Sequence, residues 1–276
     1  MRIDAHQHFW QYEPREYPWI TDRLAALRAD FLPRHLSPLL DRHGFDGCVA
    51  VQARQSSMET RWLLDLSREN PWILGVVGWI DLRGAGVRQS LDALAGQKLV
   101  GVRHLVQDEI EDRFLLREDF VSGVRALAAH DLTYDVLIYP RHLEAAIAFA
   151  DRVTDVRLVL DHGAKPPIAT GELEPWRRHV RELARRPNVF CKLSGLVTES
   201  AWDRWRAADF DPFLDALLEA FGPKRLLFGS DWPVCLLAGQ YSDVLLIAER
   251  LAGKLSPSER SEFFGGTASR AYRLSR

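Results

Sequence analysis

The chain has 276 residues, 47% apolar and 27% charged, with 36 Lys and Arg against 38 Asp and Glu for a formal net charge of −2. That composition supports a full hydrophobic core and excludes disordered, collagen-like and strongly basic classes, so neither nucleic acid nor an anionic membrane is an expected partner. No apolar run approaches the ~18 residues of a membrane span, the first residues hold no apolar leader, and the cysteines (Cys48, Cys191, Cys235) fit no disulfide framework, so a cytoplasmic globular protein is expected.

Short β-branched or aliphatic runs recur along the chain. They predict strands at Arg2–Ala5, Gly47–Val51, Leu74–Ile80, Val100–Leu105, Tyr134–Ile138, Arg157–Leu160, Val189–Leu193 and Arg225–Phe228. Most are apolar at nearly every position, the pattern of parallel strands buried on both faces. Between them lie helical spacings: Met58, Trp62, Leu63 and Leu66; Val87, Leu91 and Leu94; Trp176, Val180 and Leu183. Asp211-Pro212 reads as an N-cap with proline in the first turn, opening Phe213–Phe221, and Ser256-Pro257-Ser258-Glu259 reads as a capping box.

The alternation implies a parallel sheet. Closed, it is a (β/α)₈ TIM barrel; open, a doubly wound sheet. The number of strands and the length favour the barrel, as a single domain over residues 1–276 with a long loop after the first strand. That interval, from Phe9 to about Asp46, carries Trp10, Tyr12, Tyr17 and Trp19. It reads either as an aromatic cluster capping the barrel or as a lid over its mouth.

Barrel enzymes place their chemistry at the C-terminal ends of the strands. Here those ends read His6-Gln7-His8, Gln52-Ala53-Arg54, Trp79-Ile80-Asp81, Arg103-His104, Tyr139-Pro140-Arg141, Asp161-His162 through Lys165, Lys192 with Ser194, and Ser230-Asp231. His6 and His8, two apart on a strand, point to one side and can share a divalent cation or donate to one oxyanion. Asp231 is suited to taking a proton from water if it is desolvated or helped by a metal.

Together these residues resemble the amidohydrolase superfamily, in its amidohydrolase-related branch of sugar-lactone hydrolases. The resemblance runs nearly end to end. It rests on Ile3-Asp4-Ala5-His6-Gln7-His8-Phe9-Trp10, Tyr17-Pro18-Trp19-Ile20, Gly78-Trp79-Ile80-Asp81-Leu82, Leu160-Asp161-His162, Lys192-Leu193-Ser194-Gly195 and Gly229-Ser230-Asp231-Trp232-Pro233. The run Cys191–Glu199 and the segment Trp232–Leu237 are most similar to hydrolases acting on 6-deoxy-hexonolactones such as L-fuconolactone.

The resemblance implies a barrel that opens a neutral sugar lactone to its aldonic acid, with His6, His8, His162 and Asp231 as the reaction centre. It also places His104 as a substrate or carbonyl contact. Trp79 and Tyr139 are expected to present aromatic faces to the sugar, and Gln52, Arg54 and Lys165 to bind its hydroxyls. Metal-dependent relatives carry a further ligand on the fourth or fifth strand, where this chain has His104 and Tyr139. The expectation is therefore no metal, or one weakly held divalent ion such as zinc on His6, His8 and Asp231. The alternatives are a lactonase or decarboxylase for an aromatic-derived dicarboxylic acid and a non-catalytic barrel. The pattern assigns no oligomeric state.

Overall fold

A computed structural model describes residues 1–274. Its eight parallel strands are β1 (Ile3–Gln7), β2 (Gly47–Val51), β3 (Ile73–Gly78), β4 (Leu99–His104), β5 (Thr133–Val136), β6 (Leu158–Leu160), β7 (Val189–Leu193) and β8 (Leu226–Phe228), each paired with its sequence neighbours. Hydrogen bonds from Asp231 N to His6 O (2.8 Å) and from His8 N to Trp232 O (2.7 Å) join β8 back to β1. The result is a (β/α)₈ barrel. All eight expected strands are present, with no end displaced by more than two residues.

Alternation divides each strand between two cores. Inward, Ile3, Ala5, Val49, Val51, Val77, Val159 and Leu227 pack with Ala268, Ala271 and Tyr272, which close the N-terminal end of the barrel. Outward, Cys48, Ala50, Val76, Val102, Leu158, Leu160, Cys191 and Phe228 meet the helices. Those are α1 (Pro33–His43), α2 (Ser57–Glu69), α3 (Val87–Asp92), α4 (Glu118–Ala126), α5 (Leu143–Arg152), α6 (Trp176–Leu183), α7 (Asp211–Phe221) and α8 (Tyr241–Ala252), followed by α9 (Pro257–Ser261) and α10 (Thr267–Ala271). No helix among the described residues is long and apolar enough to cross a membrane.

Three local expectations need correction. The interval after β1 contains α1, which starts on Pro33 and tolerates Pro38 within it. Met58 is exposed, because α2 buries Leu63, Leu64 and Thr60 instead. Asp211 is the first residue of α7 and pairs with Arg250, because a 3-10 turn at Ala207–Phe210 runs directly into that helix and leaves no cap to make. The capping box at Ser256 is present, with its hydroxyl accepting from Glu259 N.

One irregularity positions the site. Asp4 pairs with Cys48 and Gln7 with Ala50, so β1 carries one extra residue there. Such a bulge reverses the phase of side chains beyond it. Ile3 and Ala5 point inward below the bulge, and His6 and His8 point inward above it. Regular alternation from Ala5 would have turned both imidazoles toward the helices.

Candidate active site

Above the apolar floor the barrel interior becomes ionic. Arg103 on β4, Asp135 on β5, Asp161 at the end of β6 and Lys192 on β7 are buried and face one another around His6. Lys192 Nζ lies 2.5 Å from Asp135 Oδ2 and 3.0 Å from Asp161 Oδ1, and Arg103 Nη1 lies 3.0 Å from Asp161 Oδ2. Tyr272 donates its hydroxyl to Asp135 at 2.8 Å. Two cations and two carboxylates thus balance, which is the condition for burying them at all. Burial raises Asp135 to about 6 even with Lys192 opposing it; for Asp161 burial also pushes upward, but Lys192, His6 and Arg103 outweigh it and hold the carboxyl well below its usual range.

His6 sits on this layer. Its Nδ1 is 3.1 Å from Lys192 Nζ and 3.4 Å from Asp161 Oδ1, and its Nε2 is 3.3 Å from Arg103 Nη1. Burial and then the Lys192 charge push its pKa well below the usual histidine value, so the ring is neutral. His8 donates Nδ1–H to Val51 O at 2.8 Å, which fixes the ring and aims Nε2 at Asp231.

His162 and Asp231 reach the site through strained backbone. His162, Gly163, Ala164 and Lys165 have successive φ values of 54°, 57°, 60° and 52°, and Asp231 has φ 56°. Left-handed backbone costs roughly 1–2 kcal/mol per non-glycine residue, so packing must hold it. Part of that packing is close approach at two glycines. A Cβ on Gly195 would fall 2.4 Å from His162 Nδ1, and one on Gly229 would fall 2.5 Å from His6 Cβ. His162 Nδ1 lies 2.9 Å from Ser194 Oγ; burial lowers its pKa to about 4. Asp4, outward at the base of the bulge, accepts Ser230 N at 2.8 Å and so anchors the Asp231 turn; burial raises its pKa to about 6.

The Asp231 carboxylate lies against the two imidazoles of β1, with Oδ1 3.3 Å from His8 Nε2 and 3.6 Å from His6 Nε2. Burial alone would raise its pKa, but His162, His8 and His6 outweigh that and keep the carboxyl below its usual range. His8, His162, Asp231 and Arg103 open onto a cavity of about 530 Å³, walled by Trp10, Trp19, Arg23, Tyr139, Lys165, Glu199 and Trp202 among others. The interval after β1 is therefore both a packed cluster (Trp10, Tyr17, Ile20 and Leu27) and a wall of the cavity.

The structure brings His6, His8, His162 and Asp231 together, with Tyr139 and Lys165 beside them. Four expected substrate contacts lie elsewhere. His104 points outward, stacked on Phe114 (ring centroids 5.0 Å apart) with Nε2 2.7 Å from Glu109, because its neighbour Arg103 holds the inward position on β4. Gln52 is buried beneath Arg103, donating to its carbonyl at 3.3 Å. Arg54 is turned to the surface, paired with Glu16 and lying over the Tyr17 ring. Trp79 lines a separate outer groove with Thr60, Arg61 and Leu94. The sequence places Arg103 and Lys192 at strand ends but assigns them no role, and it does not mark Asp135 or Glu199 as site residues. A charge in the middle of a run otherwise apolar on both faces is the signal that marks the first three.

The donor set suits one divalent ion. His6 Nε2 and His8 Nε2 are 3.2 Å apart, and with Asp231 Oδ1 at 3.3 and 3.6 Å they form a near-regular triangle. Tetrahedral zinc with bonds of 2.0–2.1 Å requires ligand atoms about 3.3 Å apart. A second grouping of His6, Asp161 and His162 exists, but its Asp161 is already engaged by Arg103 and Lys192.

The amidohydrolase family profile matches residues 3–274. The chain belongs to the amidohydrolase family. It is 47% identical to an L-fucono-1,5-lactonase of Burkholderia multivorans, over 99% of this chain and 96% of that one. An L-fucono-1,5-lactonase of Burkholderia ambifaria is 42% identical over 100% of this chain and 96% of its own. Among solved structures, an amidohydrolase from Burkholderia multivorans with bound zinc superposes with a TM-score of 0.95 at 46% identity, each chain covered completely.

Proposed function

We propose that this amidohydrolase hydrolyses a neutral sugar lactone to its aldonic acid, with L-fucono-1,5-lactone as the substrate its curated relatives point to. The observation that carries the reading is the Asp231 carboxylate set on the His6–His8 pair at the floor of an open cavity.

Asp231 stays ionised beside the imidazoles of His6, His8 and His162 and accepts a proton from water as that water adds to the lactone carbonyl. The carbonyl oxygen becomes an oxyanion. Two groups face it as donors: Arg103 Nη1, and His162, which presents Nε2–H when the Ser194 hydroxyl donates to Nδ1. Collapse breaks the bond from the carbonyl carbon to the ring oxygen, and Asp231 returns its proton to that oxygen. His6, His8 and Asp231 would hold a divalent ion, which when bound polarises the carbonyl and acidifies water. His162, tied to Ser194, and Arg103, tied to Asp161, remain for substrate in either case.

The cavity disfavours a dicarboxylate. Arg103 is paired with Asp161, and Lys165 lies 3.7 Å from Glu199, so each of these two cations has its charge balanced by a carboxylate. A dicarboxylic substrate requires uncommitted cations. Acid release from L-fucono-1,5-lactone, followed with a pH indicator, tests the reading.

A further inference from the structure

We propose that Lys165 and Glu199 form the subsite that reads the ring hydroxyls of the lactone and so sets the preference for polyhydroxylated neutral substrates. The proposal rests on the hydrolase reading above and names the specificity element of that same cavity.

Both residues are delivered to the cavity wall by backbone that has little freedom. Lys165 ends the left-handed run that also presents His162. Glu199 ends a 3-10 turn, Val197–Glu199, just beyond β7. The two loops are joined, since Ala169 N donates to Glu199 O at 3.0 Å. Lys165 is held from a second side by the Tyr139 ring, whose centroid is 5.0 Å from Nζ.

The separation of the pair is what suits it to hydroxyls. Lys165 Nζ and Glu199 Oε1 are 3.7 Å apart, with side chains 17% and 22% exposed. That is beyond direct hydrogen-bond length, so the ammonium keeps donors and the carboxylate keeps acceptors free toward the cavity. A sugar hydroxyl accepts from Nζ and donates to Oε1 at once, which neither charge could do for it alone. A substrate carboxylate gains nothing here, because Glu199 repels what Lys165 attracts. The site lies close to the chemistry: the Asp231 charge is felt at Glu199, and the Lys165 charge at His162. Burial of Glu199 adds to the cost of leaving it without a partner, so a ligand that supplies a hydroxyl is favoured over one that does not.

The test compares L-fucono-1,5-lactone, which carries ring hydroxyls, with δ-valerolactone, which has the same ester and none. Sites that hydrogen-bond a substrate hydroxyl typically lose about 10²-fold or more when either partner is removed. Glu199→Ala and Lys165→Met should each lower kcat/KM on the hydroxylated lactone by about 10²-fold, chiefly through KM, and change δ-valerolactone hydrolysis by less than about threefold. Glu199→Gln, which keeps the shape and an acceptor oxygen, should recover part of the loss and guards against misfolding of the alanine variant. Equal losses on both lactones would overturn the proposal, since they would mark a structural or chemical role. Unchanged kinetics on both would overturn it as well. Wild-type protein that opens neither lactone would instead refute the hydrolase reading, and the subsite with it.

Discussion

Arg103, and not His104, enters the barrel from β4, and its Nη1 lies 3.3 Å from His6 Nε2. His104 faces the helix layer against Phe114. The two neighbours should therefore respond oppositely to substitution. Arg103→Met should cut kcat by at least about 10²-fold, because it removes an oxyanion donor. It should also lower stability by about 3–5 kcal/mol, because it leaves Asp161 short of a buried partner. His104→Phe should leave kcat within about threefold, since an aromatic ring there keeps the stack. Steady-state rates and urea melts of both variants check this.

Asp231→Asn should remove about two to four orders of magnitude of kcat while the fold survives. Asparagine tolerates the left-handed conformation better than most residues, so the strained turn at φ 56° should persist. Circular dichroism alongside the rate distinguishes loss of the base from loss of the fold. A folded, active variant would remove Asp231 from the role assigned to it.

The acid limb of the pH profile should lie low. His162 has its pKa lowered to about 4, chiefly by burial, and Asp231 is held below the usual carboxylate range, so both groups keep their working forms down to about pH 4. kcat/KM should show no break near pH 6.5 from His162. For stability, the unfolded chain binds a proton at His162 near pH 6.5, whereas the folded chain does so only near pH 4. Stability from this residue is therefore fully present above about pH 6.5 and falls as pH drops toward 4. His162→Asn should flatten that part of the stability curve.

Gly195→Ala tests the packing that aims His162. Its Cβ would meet the imidazole at 2.4 Å, and the position has φ 61°. A stability loss of about 1–2 kcal/mol is expected from the backbone alone, with a loss of kcat of about 10²-fold from displacement of the ring. A fully active variant would show that the ring position is not critical.

The eight strands were legible because parallel strands buried on both faces leave nearly uninterrupted apolar runs. The inward aim of His6 and His8 was only half legible. Spacing puts them on one side, but the bulge between Asp4 and Gln7 decides which side. The same ambiguity misplaced His104, because adjacent strand residues differ only in phase, and β4 carries an extra residue between Leu99 and Gly101 that resets that phase. Gln52, Arg54 and Trp79 stand at strand ends as expected, yet their side chains are taken up by Arg103, by Glu16 and Tyr17, and by the α2–α3 groove. The left-handed run from His162 to Lys165 has no local signal except Gly163, since tertiary contacts hold it. Helix α1 was hidden by Pro33 and Pro38, which sequence reasoning takes as breakers, although the first sits in the tolerated opening turn.

A neutral lactone suits a cavity in which Asp161 balances Arg103 and Glu199 balances Lys165. Initial rates of acid release on L-fucono-1,5-lactone and on a dicarboxylate lactone, measured side by side on the same preparation, test this most directly. Rapid turnover of the sugar lactone with the dicarboxylate slower by at least about 10²-fold is the predicted result. Equal or faster turnover of the dicarboxylate, or no turnover of the sugar lactone, would contradict it.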